Sequence, residues 1–319
     1  MSSVRILFLG ASKRVSLLER FLDAAFRHGI DLKMISCESD SRFCPISGLA
    51  LVLGGPPFLS DEFGQWLSET IARHAIDIVV PNMDSATVAL SRFAETFKGD
   101  CWPVVSTRSL CETMYDKKAA VDFFRDHNVR VPPNTPGRFP KILRPRFGFG
   151  SKNLHIANSG EQLNLRLQEY GREYLVQDFL SECNETTVDV YASRRHGLLG
   201  YVLRDRLEVS DGEVMVCRTR AARKEEERLI ESVASIPGWQ GCITLQYLTA
   251  PSGDIYMIEI NPRFGGGATC GIEAGLDMAS YILLERLKRP VTGSKSLRNL
   301  IMTRARRDFF CEFEEDSVR

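Results

Sequence analysis

The sequence predicts a mixed α/β protein, in which a doubly wound α/β domain precedes a region of mainly antiparallel strands. The first part is predicted by short apolar runs that alternate with helical patterns between residues 4 and 108. The second part is predicted by consecutive strand-like segments between residues 173 and 218, and by a hairpin pattern near residue 250. These observations favour an α/β (α+β) protein with more than one packed unit.

Composition excludes several classes of protein. The chain has 319 residues, of which 44% are hydrophobic, so it can form two or three packed units. Its net charge of zero gives no electrostatic argument for nucleic acid or an anionic membrane as a partner. No apolar run approaches the roughly 18 residues of a membrane-spanning helix. The nine cysteines include no CxxC pair, which argues against a zinc or redox motif and favours a reducing, cytoplasmic setting.

The N-terminal region alternates strands and helices. Residues 4–10 form a continuous apolar run, as expected for a parallel strand that is covered on both faces. A helical pattern follows, and then a second strand at 32–36 with Glu38 just beyond its end. A helix at 62–75 precedes a third strand at 77–81. This alternation predicts a doubly wound domain that ends near residue 108.

Ligands of such sheets bind beyond the carboxyl ends of the strands. In this sequence those ends are residues 10–14, Glu38, and Asn82 with Asp84. The turn at Gly10 does not have the GxGxxG spacing, so the sequence does not predict a dinucleotide site. An alternative interpretation is that Glu38 and Asp84 are loop acids or helix caps.

A glycine loop lies in the middle of the chain, after a helical segment at 109–130. Two strand-like pieces flank residues 147–152, and the backbone N–H groups of this loop are suited to binding phosphates. A plain hairpin turn is the alternative interpretation. Arg144, Arg146 and Lys152 lie nearby as candidate phosphate partners.

The rest of the chain is predicted to alternate strands with a few helices. The strand at 173–180 has backbone groups from Gln177 to Leu180 that it would leave exposed, and Glu185 follows shortly afterwards. The remaining predicted elements are a helix at 160–170, antiparallel strands from 186 to 218, helices at 223–235 and 272–288, and a tail at 297–313.

The most informative stretch is residues 241–267. Two β-rich runs flank a Pro-Ser-Gly-Asp turn, which predicts a hairpin. If Ser252 and Gly253 form the loop, Gln246 lies opposite Glu259 with Cβ atoms roughly 4.5–5.5 Å apart. Asn261 lies two residues further along the same face.

These three side chains predict a metal site. One carboxylate and two amide oxygens suit a hard cation such as Mg²⁺, which often shares its ligands with phosphates. A single polar residue in a strand more often faces water. However, three on one face, followed by Arg263 and three glycines, favour the cation site. The prediction depends on register, because a slip of one residue would move Gln246 to the other face.

The order of these parts resembles an ATP-grasp enzyme, most closely one half of the carbamoyl-phosphate synthase large chain and its small stand-alone relatives. The most specific element is the group formed by Gln246 and the motif Glu259-x-Asn261-x-Arg263. The resemblance implies a Rossmann-like pre-grasp domain at 1–108, a lid subdomain with its lead-in helix at 109–180, and a C-terminal antiparallel-sheet subdomain at 181–319.

The resemblance also implies roles for individual residues. Gln246, Glu259 and Asn261 would bind the Mg²⁺ ions that bridge ATP phosphates, with Mn²⁺ as a substitute, and Arg263 would contact the transferring phosphoryl group. Lys117 and Arg144 would contact ATP, and backbone at Asp178 and Leu180 would meet adenine, with Glu185 on the ribose. The remaining nucleotide-binding residues would be Gly148, Gly150, Ser151 and Lys152 of the mobile loop, and Gln177 of the adenine strand.

The implied reaction transfers the γ-phosphoryl group of ATP to a carboxylate and passes the acylphosphate to an amine or another nucleophile. One alternative is formation of carboxyphosphate from bicarbonate by the same machinery. Another alternative is a regulatory protein that binds nucleotide without turnover. The expected partners are small molecules, and a homodimer is a family-level expectation.

Overall fold

A computed structural model of the protein describes residues 2–42, 44–148, 153–171, 173–210, 212–293 and 297–310. The N-terminal part forms a five-stranded parallel sheet with the order β3-β2-β1-β4-β5. This arrangement confirms the predicted doubly wound region. Its strands are β1 (Ser2–Leu9), β2 (Ile30–Glu38), β3 (Leu51–Gly54), β4 (Ile78–Pro81) and β5 (Trp102–Pro103). Its helices are α1 (Val15–Arg27), α2 (Phe63–His74) and α3 (Asp84–Thr96).

The lid consists of a small antiparallel sheet and the helices beside it. The sheet has the order β7-β6-β8, in which β6 is Lys141–Pro145, β7 is His155–Ala157 and β8 is Tyr174–Asp178. Helix α6 (Gly160–Tyr170) connects β7 to β8. The two strand-like pieces around the glycine loop pair with each other, which is also what the alternative of a plain hairpin turn predicts.

The predicted helix at 109–130 is in fact two helices, α4 (Arg108–Tyr115) and α5 (Lys117–Asp126). Asp116 has extended backbone angles between them, and its carboxylate accepts a hydrogen bond from the Lys118 N–H at 3.0 Å. Arg146 binds the same carboxylate through two nitrogens, at 2.8 and 2.6 Å. An N-cap of this kind begins a new helix, so the predicted helical segment is divided into two helices at Asp116.

The C-terminal part forms a six-stranded antiparallel sheet with the order β13-β12-β9-β10-β11-β14. The predicted helical segment at 272–288 is likewise divided between two helices, because Gly275, with φ of +120°, interrupts it. The strands are β9 (Asn184–Ser193), β10 (Gly197–Ser210), β11 (Glu213–Arg220), β12 (Gly241–Thr249), β13 (Ile255–Asn261) and β14 (Ile301–Thr303). The helices are α7 (Lys224–Ala234), α8 (Ala268–Ala274) and α9 (Met278–Arg286).

An aromatic contact joins the parallel sheet to the C-terminal part. The Phe21 ring of α1 lies 5.1 Å from the Phe8 ring of β1 and 6.0 Å from the Phe264 ring, measured between centroids. All three side chains are buried. Phe264 follows β13 directly, so this contact holds the end of the hairpin against the carboxyl edge of the parallel sheet.

Two further observations concern the described residues as a whole. None of their helices is long and apolar enough to cross a lipid bilayer. Their eight cysteines are free thiols, and seven of these are buried. The ninth, Cys311, lies outside the described residues.

Candidate active site

The hairpin brings Gln246 directly opposite Glu259, as predicted. Leu245 pairs with Ile260 and Thr244 with Asn261 beside them. Because Gln246 pairs with Thr187 on its other side, this polar face continues across β9. The predicted ligand face is therefore present on the six-stranded sheet.

The turn of the hairpin differs from the prediction. Strand pairing ends at Thr249 and Ile255, so the loop has five residues rather than the two, Ser252 and Gly253, that were predicted. Ala250 N–H donates to the Asp254 carbonyl at 2.9 Å, and Gly253 N–H donates to the Ala250 carbonyl at 2.9 Å. A β-bulge between Gln246 and Tyr247 shifts the pairing by one residue. Because of this shift, Gln246 still pairs with Glu259, as predicted, although the predicted loop was wrong.

Glu259 lies between a cation of the lid and an amide of its own strand. Its Oε2 accepts a hydrogen bond from Arg144 Nη2 at 3.0 Å, and its Oε1 accepts one from Asn261 Nδ2 at 3.0 Å. Arg144 Nη1 also donates to the Ile258 carbonyl at 3.1 Å. Arg144 is thus fixed over the ligand face, where it joins the lid sheet to the hairpin.

Gln246 is tied to Glu185, which lies on the neighbouring strand. Gln246 Nε2 donates to Glu185 Oε1 at 3.0 Å. Arg206 of β10 forms an ion pair with the same carboxylate. Sequence reasoning did not identify Arg206. The position of Arg206, two residues after Arg204, could have indicated it. Alternate residues of a strand share a face, and a second arginine on that face needs an anionic partner.

The donor set fits a hard cation. Both amides use their nitrogen as the donor in the contacts above, which directs their oxygens to other partners. With the Glu259 carboxylate they supply only oxygen ligands, which is the chemistry Mg²⁺ prefers. Within the described ranges no three His, Cys, Asp or Glu side chains cluster as a metal site, so the two amides are essential to this assignment.

Arg263 bridges the hairpin and the N-terminal domain. Its Nε donates to Asp84 Oδ1 at 2.6 Å, and its Nη1 donates to the Phe264 carbonyl at 3.1 Å. Burial alone would lower the pKa of Arg263, but the Asp84 carboxylate raises it above its usual value. Asp84 begins α3 just beyond the carboxyl end of β4. The sheet edge that the sequence indicated therefore faces the motif residue Arg263.

Lys117 lies in the wall of a small cavity, which has a volume of about 40 Å³. Its Nζ donates to the Gly148 carbonyl at 2.7 Å, at the start of the glycine loop. Burial lowers the pKa of Lys117, whereas the Glu259 carboxylate opposes this effect. Glu259, Asn261 and Arg263 line this cavity together with Lys117. Gly150, Ser151 and Lys152, the remaining loop residues that the sequence predicted, lie outside the described residues.

The edge of β8 presents backbone groups at Asp178. Phe179 N–H donates to the Pro140 carbonyl at 2.9 Å, so Phe179 faces β6. Alternate residues of a strand direct their backbone groups to opposite sides. Those of Asp178 therefore face the other edge, where its N–H donates to the Pro133 carbonyl at 2.7 Å. Leu180 lies two residues beyond the end of β8.

Gln177 and the Asp178 carboxylate stabilise the protein around this edge. Gln177 is buried, and its Nε2 donates to the Pro132 carbonyl at 3.1 Å. Lys141, a buried residue that sequence reasoning missed, donates from Nζ to Asp178 Oδ1 at 2.6 Å. Thr135 binds the second oxygen of this carboxylate at 2.7 Å. These side chains fix the 132–135 segment beside the strand and are not available to a ligand.

Two further arginines lie around the glycines that follow β13. Arg14 Nη1 donates to the Gly265 carbonyl at 2.9 Å, and Arg304 Nη2 donates to the Gly266 carbonyl at 2.6 Å. Burial, and then the charges of Arg263 and Arg304, lower the pKa of Arg14 to about 10. The three guanidinium groups thus form a cationic cluster next to Asp84.

Comparison with known proteins finds similarity to one family of domains over part of the chain. Residues 114–267 match the family model of the ATP-grasp domain. The carbamoyl phosphate synthase large chain of Campylobacter jejuni is 21% identical over 173 residues, which cover 46% of this chain. The match spans only 16% of that curated relative.

Solved structures share the fold over most of the chain. N5-carboxyaminoimidazole synthetase from Staphylococcus aureus, complexed with ADP, has a TM-score of 0.75 at 14% identity, and covers 95% of this chain and 83% of its own. The biotin carboxylase domain dimer of Hydrogenobacter thermophilus 2-oxoglutarate carboxylase was solved with MgADP, ADP and bicarbonate. It has a TM-score of 0.70 at 15% identity, and covers 92% of this chain and 72% of its own. At these identities the likeness establishes the ATP-grasp fold.

Proposed function

Because this chain contains an ATP-grasp domain, we propose that it is an ADP-forming ligase that joins a carboxylate to an amine. The γ-phosphoryl group of ATP is transferred to a carboxylate oxygen, which releases ADP and forms an acylphosphate. The amine then attacks the acyl carbon, and inorganic phosphate leaves. Two observations support the proposal: Gln246, Glu259 and Asn261 share one face of the hairpin with Arg144 bound to Glu259, and Lys117 and Arg263 line one cavity with Glu259 and Asn261.

ATP binds between the lid sheet and the six-stranded sheet in this proposal. The Asp178 carbonyl accepts a hydrogen bond from the adenine amino group, and the Leu180 N–H donates to a ring nitrogen. Glu185, 34% exposed at its side chain, takes the ribose hydroxyls. Its contact with Gln246 links the ribose site to the metal site.

The phosphates bind at Lys117, Arg144 and the loop that begins at Gly148. Arg144 holds Glu259 in this structure. When Arg144 turns to a phosphate, Glu259 Oε2 becomes free to bind a cation. Bound Mg²⁺ neutralises the charge of the phosphates, and Mn²⁺ as a substitute remains a prediction. Gln246, Glu259 and Asn261 are the residues that would hold it.

The carboxylate substrate binds at the cationic cluster of Arg14, Arg263 and Arg304. An anion relieves the mutual repulsion that contributes to the lowered pKa of Arg14. Arg263 is positioned by Asp84 and stabilises the charge that develops during transfer. The N-terminal domain therefore contributes directly to substrate binding through Arg14 and Asp84.

Formation of carboxyphosphate from bicarbonate is the second candidate. The small volume of the cavity at Arg263, about 40 Å³, favours a small acid. The fold of the Hydrogenobacter domain, solved with bicarbonate, is consistent with it. ADP release that depends on bicarbonate without any amine would select this candidate.

A coupled ADP-release assay tests the proposal. The protein is given MgATP and a panel of carboxylates, each with and without amines, in buffer depleted of bicarbonate. We expect ADP release above background only with a cognate acid, and its loss in Glu259→Gln. The matched control Glu225→Gln changes an exposed glutamate of α7 and retains the activity. ATP binding without turnover across the panel and with bicarbonate would instead indicate a regulatory protein. A homodimer also remains a prediction, which sedimentation analysis tests.

A further inference from the structure

A second cavity lies at the opposite, amino-terminal end of the parallel sheet. Its volume of about 640 Å³ is sufficient for a metabolite-sized molecule. Trp102, in its wall, pairs with Ile78 at the start of β4, whereas Asp84 follows the end of that strand. The length of β4, about 10 Å, therefore separates the cavity from the candidate active site.

The cavity is formed by both parts of the molecule. The segment 99–105 contributes from the parallel sheet, and the end of α9 contributes Glu285, Arg286 and Lys288. Arg194 and Arg195 contribute from the turn between β9 and β10. A molecule bound here would contact the same two parts that the Arg263–Asp84 pair joins on the other side.

The acidic groups of the wall already have internal hydrogen-bond partners. Arg286 Nη2 binds Asp77 at 2.9 Å and Asp100 at 2.8 Å. The Glu285 carboxylate is buried, and accepts hydrogen bonds from Tyr191 Oη at 2.7 Å and from the Ser193 hydroxyl. These contacts fix the wall, in which the basic side chains Arg194, Arg195, Arg286 and Lys288 outnumber the acidic side chains Asp100 and Glu285.

Three cations supply this positive charge. Among the described residues, no carboxylate lies within ion-pair distance of Arg194, Arg195 or Lys288, and both arginines are exposed. The pKa of Asp100 is lowered chiefly by its hydrogen bond with Arg286, and the positive charge of Lys288 lowers it further. The cavity is therefore electropositive although the chain as a whole is neutral.

The wall also contains a hydrogen-bond donor without an acceptor. Trp102 is 6% exposed, and its Nε1 has no hydrogen-bond partner within the described part of the chain. Buried indole N–H groups ordinarily have one, as Trp239 does at the Val233 carbonyl, 2.8 Å away. The indole of Trp102 therefore lines the cavity, while its N–H group is buried behind the wall.

We propose that this cavity is a second ligand site, which binds a small polyanion through Arg194, Arg195 and Lys288 next to the indole ring of Trp102. The ligand carries at least two carboxylate or phosphoryl groups, since two charged groups can engage the arginine pair and the α9 side together. The site is separate from the nucleotide site, and binding there does not require turnover.

The indole N–H signals of the full-length protein test the proposal. The chain has three tryptophans, Trp66, Trp102 and Trp239, so an ¹⁵N-labelled sample gives three indole signals, and Trp102→Phe assigns one of them. Citrate and pyrophosphate are titrated separately, without metal or nucleotide and at moderate salt. We expect a saturable shift of the Trp102 signal, while the Trp239 signal stays in place. The probe that binds with the lower Kd shows whether the site prefers a polycarboxylate or a phosphorylated ligand.

Variants distinguish this site from the active site. Arg194→Glu combined with Arg195→Glu should weaken the binding of the probe by about tenfold or more, because both charges reverse. Arg263→Ala and the exposed control Arg73→Glu of α2 should keep the affinity within about twofold. The amide spectrum of each variant checks its fold. A Trp102 signal that does not move, or one that moves equally in the double variant, would overturn the proposal.

Discussion

Arg263 Nε lies 2.6 Å from Asp84 Oδ1, and this ion pair joins residues 179 positions apart in the sequence. The two side chains are largely buried, with 13% and 16% exposure. One belongs to the segment after the metal-ligand strand, and the other to the first helix residue after β4. The pair therefore sets the orientation of the guanidinium relative to Glu259 and Asn261.

Removal of the Arg263 guanidinium should reduce turnover far more than nucleotide affinity. For Arg263→Ala we expect kcat to fall about 10²–10³-fold, as for other groups that stabilise developing charge, with little change in the Kd of ATP. Asp84→Asn, which keeps the shape but not the charge, should give a smaller loss of kcat. Steady-state kinetics and nucleotide titration separate these effects. Equal losses in kcat and ATP affinity would make Arg263 an ordinary nucleotide-binding residue.

Arg14 should act on the carboxylate substrate. Arg14→Gln removes one cation of the cluster, so we expect the KM of the acid to rise about tenfold, because a charge-assisted hydrogen bond is lost. The KM of ATP should stay close to its original value. Lys13→Gln, at the exposed neighbouring position, is the matched control. A rise in the KM of ATP alone would place Arg14 at the nucleotide instead.

The edge of β8 predicts a preference for adenine. The Asp178 carbonyl is an acceptor and the Leu180 N–H is a donor, which match the amino group and the ring nitrogen of adenine. Guanine presents an acceptor and a donor at the corresponding positions, so both contacts would become repulsive. We expect GTP to be used at least about 10²-fold less efficiently than ATP, since each mispaired polar group costs about 1–3 kcal/mol. Comparable kcat/KM values for the two nucleotides would contradict this assignment.

Glu226 should make the stability of the C-terminal part depend on pH. The residue is buried, and although burial raises its pKa, hydrogen bonds from Arg220 and Arg223 lower it to about 2. A pKa that folding lowers stabilises the protein above the unfolded value, near 4.3, and this stabilisation is lost as the pH falls towards 2. The expected contribution is about 2–3 kcal/mol at neutral pH.

Glu226→Gln tests this contribution, because the amide cannot be ionised. We expect a lower free energy of unfolding at pH 7 and a weaker dependence on pH between about 4.5 and 2. Tyr247 donates to Glu226 Oε1 at 2.7 Å, so the change should also loosen β12 next to Gln246. The exposed Glu227→Gln is the control. Denaturant titrations at several pH values that show parallel curves for both variants would refute the role of Glu226.

The sequence predicted the ligand face because strand alternation is a local property. Gln246, Glu259 and Asn261 are on one face in the structure, although the predicted two-residue loop was wrong. A bulge corrected the register, and nothing in the periodicity indicated it. Likewise, the interruptions of predicted helices at Asp116 and Gly275 depend on a cap and on a positive φ that the apolar pattern does not contain.

The sequence pattern did not predict contacts between side chains that are far apart in the chain. Asp84 was a candidate only because it follows a parallel strand, and its partner Arg263 depends on how Phe264 packs against Phe21. Arg144 was expected at a phosphate, whereas the structure pairs it with Glu259. The side chain of Gln177 donates a hydrogen bond to the Pro132 carbonyl, a contact that the strand pattern did not indicate. Each of these outcomes is decided by tertiary packing rather than by local pattern.

The central claim is that Glu259 and the two amides hold the cation that makes phosphoryl transfer possible. The most direct measurement is ADP release by Glu259→Gln as a function of Mg²⁺ concentration, with Glu225→Gln as the control. We predict that the variant loses ADP release by about 10³-fold or more at any Mg²⁺ concentration, because the one carboxylate among the three proposed metal ligands is gone. ADP release at a near-normal rate, with an unchanged dependence on Mg²⁺, would contradict the account.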